Sequence, residues 1–232
     1  MDQNTDHEKI YKLTGYSFKN RGLLMTALTH SSYASEHKLG YERNNERLEF
    51  IGNAYVDAVV GAELFAIMGK AREGVLSRCR ADIVCEDSLA DTALKMGLGE
   101  LLYLGKGEEA SGGRTKPSIL ADAFEALMGA IILDGGYEAG RAAILRLLAD
   151  RIRLGAQGKL NKDFKTKLQE KLQETGGSIK IEYRMKSEKG PDHNKTFTVE
   201  VCVDDRVIGT GSGQSKARAE QAAAEDALSK GV

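Results

Sequence analysis

Apolar positions recur at helical spacing through the first two thirds of the chain. Segments near residues 19–29, 46–68, 74–84, 86–96, 118–133 and 137–153 each carry them at i, i+3, i+4 and i+7, the pattern of a helix with one buried face. Strand-like alternation is hard to find there. The run Gly105–Arg114 is glycine-rich and polar and reads as a mobile loop; its glycines do not have the spacing of a phosphate-cradling loop. The character changes after Gly155-Ala156-Gln157-Gly158-Lys159-Leu160-Asn161. Asp163–Gln173 has helical spacing, while Ile179–Ser187, Thr196–Val203 and Arg206–Gly213 alternate as strands do. Asp204-Asp205 suits a tight hairpin turn between the last two. Ser215–Ser229 reads as a second helix, with Ser215 as its N-cap and alanines at the packing positions. The pattern predicts an all-α domain over 1–155, a linker over 156–161, and a smaller α-β-β-β-α domain over 162–232.

Two helical segments place acids inside otherwise apolar sequence. In Asn45–Asp57, residues Glu46, Glu49 and Asn53 fall at i, i+3 and i+7 and share a face. In Ile119–Ala130, Asp122 and Glu125 fall at i and i+3. Buried carboxylates are costly unless paired or bound to metal. Two such helices turned toward each other make an oxygen-rich site suited to a hard divalent cation. Taken singly, each segment also has a plain reading: Glu46 paired with Arg47, Glu125 solvated on a helix surface.

Composition adds limits. Lys and Arg number 33 against 34 Asp and Glu, so any nucleic-acid site is a local patch and not a field of the whole chain. Cys79, Cys85 and Cys202 lack C-x-x-C spacing and read as reduced thiols, Cys79 and Cys85 as packing residues. Neither a long apolar run nor an N-terminal signal pattern is evident, which predicts a soluble cytoplasmic protein without a membrane partner. His30, in Thr29-His30-Ser31 at a helix end, reads as a structural hydrogen-bonding residue.

Glu46-Arg47-Leu48-Glu49-Phe50-Ile51-Gly52-Asn53 resembles the signature of the ribonuclease III endonuclease domain, E-R-L-E-F-L-G-D. Lys116–Ala126 resembles its second signature, A-D-x-x-E-A, and Ala27–Tyr33 and Glu73–Ser77 fit in the same order. The resemblance implies a homodimeric endoribonuclease that cleaves double-stranded RNA and leaves 5′-phosphate and 3′-hydroxyl ends, as in the processing of ribosomal RNA precursors and structured RNA. It implies Mg²⁺ as cofactor, with Mn²⁺ as a substitute. Glu49, position 53, Asp122 and Glu125 would be catalytic metal ligands, with Glu46 and Glu73 nearby in an acidic valley. Asn53 departs from the pattern where the family has Asp, so cleavage is expected to be impaired. The intact pattern around it favours an introduced Asp→Asn change over a natural inactive variant.

The C-terminal part resembles a double-stranded RNA-binding domain. Gln169 and Glu170 would face one minor groove, His193 a second, and Ser215, Lys216 and Arg218 the phosphates between them. The family usually has two lysines where this chain has Lys216-Ala217. A non-catalytic RNA-binding or RNA-processing scaffold is the alternative that Asn53 keeps open.

Overall fold

The computed structural model describes residues 3–160, 164–174, 180–190, 195–213 and 215–231. The chain divides into two compact units, Met1–Leu160 and Asn161–Val232.

The first unit is helical. It runs through α1 (Gln3–Thr14), α2 (Arg21–Ala27), α3 (Ser31–Glu36), α4 (Glu46–Met68), α5 (Glu73–Val84), α6 (Glu86–Lys95), α7 (Lys106–Ala110), α8 (Pro117–Gly135) and α9 (Tyr137–Ala156). Its axis is α8, which starts with Pro at a first-turn position where no backbone donor is lost and packs against α4, α6, α9 and α2. That explains its composition: a helix surrounded on most sides is apolar most of the way round. Phe124, Leu127, Met128 and Ile131 of α8 are fully buried, against a core that includes Leu28, Leu64, Ile83 and Leu89.

The second unit has α10 (Phe164–Glu174), β1 (Ile181–Lys189), β2 (Thr196–Val203), β3 (Arg206–Gly213) and α11 (Lys216–Ser229). The strands form an antiparallel sheet in the order β1-β2-β3. Asp204 and Asp205 both have positive φ, 46° and 67°, the backbone a two-residue turn needs to match strand twist. Both helices pack together, and α11 lies on β3 and β2. A Cβ at Gly211 would fall 2.1 Å from the Ala223 nitrogen, so glycine on the strand and alanine on the helix bring the two backbones together. Leu168, Val199, Val201, Ala219 and Ala223 form the centre of this core, with Phe164 and Phe197 packed at its edge.

Several expectations are corrected. The run Gly105–Arg114 is not a plain loop. It holds α7, and Arg114 fixes it by bonding Glu109 and the carbonyls of Gly99 and Leu102. Helices α1 and α3 were not legible, being short or weakly patterned. Ala156, expected to open the linker, is the last residue of α9. Strand β1 reaches Lys189, two residues beyond the expected end, and its register shifts between Met185 and Ser187, which breaks the alternation. Ile179, Asn161 and Asp163 lie outside the described residues. Cys85 is exposed and does not pack. Finally, α4 is by length and composition apolar enough to cross a membrane, contrary to the expectation that no such run exists. In the fold it is the partner of α8 and carries polar side chains into the site described next.

Candidate functional site

The site is built where α4 crosses α8. Gly52 and Gly129 make the crossing close. A Cβ at Gly52 would lie 1.8 Å from the Glu125 carbonyl oxygen, and one at Gly129 would lie 2.2 Å from that of Leu48. No side chain other than hydrogen fits at either place. The close approach carries Glu49 and Asn53, which flank Gly52 on α4, onto Asp122 and Glu125 of α8. Carboxylate oxygens of Glu49, Asp122 and Glu125 all lie within 4.8 Å of one another. Asn53 Nδ2 donates to Glu125 Oε1 at 3.0 Å.

Burial and crowding shift the proton affinity of these acids upward. Glu125 is only 8 % exposed. Desolvation is the main cause that pushes its carboxyl up to about 7; the charges of Glu49, Asp122 and Asp57 add to this, and the Asn53 donor opposes it. Glu49 is raised by burial first, then by Asp122 and Glu46. Asp122 is raised by burial and by Glu86, with His30 acting the other way. Three carboxylates that penalise one another's ionisation are a set that a hard divalent cation satisfies, because one dication offsets the repulsion and desolvation together. The residues therefore fit a metal of the Mg²⁺ class.

The other expected members stand further out. Glu46 is exposed in the first turn of α4, close enough to Glu49 to affect it. Glu73 is exposed in the first turn of α5, where its carboxylate accepts from Ser77 Oγ at 2.6 Å; it is not among the three converging acids. Three residues not expected at the site act on its acids. Asp57 follows Asn53 by one helical turn, so the α4 periodicity could have found it. Glu86 and His30 come from other elements, and only the tertiary fold brings them near Asp122.

In the second unit, Gln169 and Glu170 are exposed on α10. Gln169 lines a surface cavity of about 400 Å³ with Lys165, Gln173, Lys180 and Tyr183. Ser215 caps α11, its Oγ accepting from the Arg218 N–H at 3.2 Å. Lys216 and Arg218 are exposed in the first turn, where the helix dipole favours anions. His193 lies outside the described residues.

Comparison with known proteins completes the picture. A family model described as Ribonuclease-III-like matches residues 20–152, and one for the double-stranded RNA binding motif matches residues 164–230. Ribonuclease 3 of Caldanaerobacter subterraneus subsp. tengcongensis is 51% identical over 217 residues, covering 93% of each chain. Ribonuclease 3 of Pelotomaculum thermopropionicum is 46% identical, covering 93% of this chain and 89% of the relative. Among solved structures, the nuclease domain of ribonuclease III from Campylobacter jejuni superposes with a TM-score of 0.57 at 44% identity, covering 62% of this chain and 93% of that one. A second structure of that domain, described for flexibility in the region involved in dimer formation, gives 0.58 at the same identity, covering 62% of this chain and 96% of that one.

Proposed function

The chain belongs to the ribonuclease III family of double-stranded RNA endoribonucleases, and from that premise we propose that Glu49, Asp122 and Glu125 are its catalytic metal ligands and that Asn53 impairs cleavage. The observation that carries the reading is the convergence of those three carboxylates within 4.8 Å. The cation is Mg²⁺, with Mn²⁺ as substitute, since an all-oxygen set suits both. When bound, it supplies Lewis acidity toward the phosphate and lowers the pKa of a water. The chain's part is to hold the acids in register through the Gly52–Gly129 crossing and to keep Glu125 out of solvent. Hydrolysis of both strands leaves 5′-phosphate and 3′-hydroxyl ends. Ribosomal RNA precursors and structured RNA are the substrates this reading favours.

Asn53 removes one negative charge from the set. Its amide also donates to Glu125, whereas an ionised aspartate has no hydrogen to donate there. Both effects weaken the pull on a cation. The free thiols of Cys79, Cys85 and Cys202 suit a cytoplasmic protein. Homodimerisation is supported by an exposed apolar stripe on α4 that runs from Phe50 to Phe65, and Gln169, Glu170, His193, Ser215, Lys216 and Arg218 are the proposed RNA contacts. Glu46 and Glu73 complete the acidic valley.

The test is Asn53→Asp, assayed for Mg²⁺-dependent cutting of duplex RNA beside RNA binding in EDTA. The expected result is a large gain in cleavage with little change in binding. Equal cleavage by both forms would count against the impairment. Binding without cleavage in either form would favour a non-catalytic scaffold, the reading that the Asn53–Glu125 bond otherwise supports.

A further inference from the structure

In the second unit, the cavity of about 400 Å³ that Gln169 lines opens between α10 and β1. Part of its wall is apolar. Leu172 is buried there, and Ile181 and Tyr183 are half-buried. Two amides stand beside that wall. Gln169 and Gln173 are four residues apart on α10, so they are neighbours on one helix face, and both are exposed. Lys165, one turn before Gln169, is held in place. Its N–H donates to Gln221 Oε1 at 3.2 Å, its ammonium lies 2.5 Å from Glu220 Oε2, and the same ammonium sits 4.5 Å from the centre of the Tyr183 ring. Lys180 also lines the cavity and is paired with Glu182.

These partners decide what the cavity suits. Each lysine already has a carboxylate beside it, which weakens the site as a phosphate trap. What remains is a pair of neutral amides next to an apolar wall. Each amide offers two N–H donors and a carbonyl acceptor. A nucleobase has the matching form, with flat apolar faces and an edge of donors and acceptors. Inside a duplex that edge is paired and the faces are stacked. An unpaired base in a bulge or loop is free to leave the stack and enter a pocket. Gln169 belongs both to the cavity and to the proposed RNA contacts, so a duplex held on α10 brings its unpaired positions within reach.

We propose that the cavity between α10 and β1 binds one unpaired nucleobase of a structured RNA, its edge bonded by Gln169 and Gln173 and its faces against Leu172, Ile181 and Tyr183. The inference rests on the reading of the second unit as the RNA-binding part with Gln169 among its contacts. It makes that unit a selector. Perfect duplex is held by shape alone, and a duplex with an unpaired base gains one further contact.

The experiment uses the full chain in EDTA and two RNAs, a perfect duplex of about 16 bp and the same duplex with one unpaired adenine at its centre. Gln173→Ala removes the amide, and Gln173→Glu keeps its size but replaces the N–H donors with a carboxylate. Thermal melting is followed beside binding. The expected result is that the parent binds the bulged RNA about tenfold more tightly, within the range for one stacked base. Both variants should lose that preference and bind the perfect duplex as the parent does, with melting unchanged. Equal affinity of the parent for the two RNAs overturns the proposal. A preference that both variants keep overturns it too, because the bulge then acts through duplex shape. A loss of equal size on both RNAs makes Gln173 an ordinary groove contact and also overturns it. Failure of the underlying reading is a separate outcome: a folded parent that binds neither RNA would take RNA binding away from the second unit altogether.

Discussion

Glu125 titrates near neutrality because it is buried among acids, and this has a consequence for stability without metal. Its carboxyl sits at about 7 in the folded chain against an ordinary 4.5. Between those values the folded state binds more protons than the unfolded one, so stability falls as pH rises through that window and levels off above it. Glu49 and Asp122, also raised, act in the same direction. In EDTA, the urea midpoint of the full chain should be higher near pH 5 than near pH 8. Glu125→Gln should flatten that difference, and a profile unchanged by the substitution would mean that Glu125 titrates normally. A second residue-scale expectation concerns Lys216, exposed at the start of α11. Lys216→Ala should weaken binding to unrelated duplexes alike and reduce the slope of log affinity against log salt by about one. A sequence-selective loss would argue for base contact instead. The acids were legible because each helix repeats them on one face; Glu86 and His30 were not, because nothing local links either to Asp122.

The decisive event among the elements is the α4–α8 crossing. Gly52 stands between the two acidic turns of α4, and Gly129 stands one turn beyond Glu125. Each has the other helix's backbone where a Cβ would be. Gly52→Ala should push the helices apart at the site. We expect a stability loss of roughly 1–3 kcal/mol, the usual cost of overpacking, read as a lowered melting temperature. Mn²⁺ affinity should fall with it, since Glu49 and Glu125 would separate. Gly74→Ala is the control, because a Cβ there meets nothing within 4 Å. Equal behaviour of the two variants would mean that the close crossing does not hold the site together. Long helices with a sustained apolar face and the strands β2 and β3 were readable, because their periods run through many residues. The short helices were not. α3 depends on a His30 cap, and α7 on Arg114 reaching back to Gly99 and Leu102, and such ties are set by tertiary contact.

At the scale of the whole molecule, α4 presents a face that the first unit leaves uncovered. Phe50 is 79% exposed and Phe65 70%. Ala54, Ala58 and Ala62 are exposed between them at helical spacing. Beside Phe50 lies a cavity of about 670 Å³, lined in part by Leu23, Leu48, Ile51 and Leu133. Leu133 is itself 57% exposed. Large aromatic side chains in water next to an apolar recess are the signature of an interaction surface. A two-fold axis would use the same patch on both copies, each aromatic meeting the other's recess. In such a pairing α4, long and apolar enough to cross a membrane, would be covered by protein, and its hydropathy would need no lipid. Phe50 adjoins Glu49 in sequence, so a dimer built on this face would place its seam within one turn of helix of the acids. Phe50→Asp places a charge where the two recesses would meet. The expected outcome is a monomer by light scattering at micromolar concentration, with the helical circular dichroism retained. In an Asn53→Asp background, cleavage of duplex RNA should drop along with the dimer. A variant that stays dimeric would move the interface elsewhere on the unit, and a monomer that cleaves at the parent rate would uncouple the site from assembly.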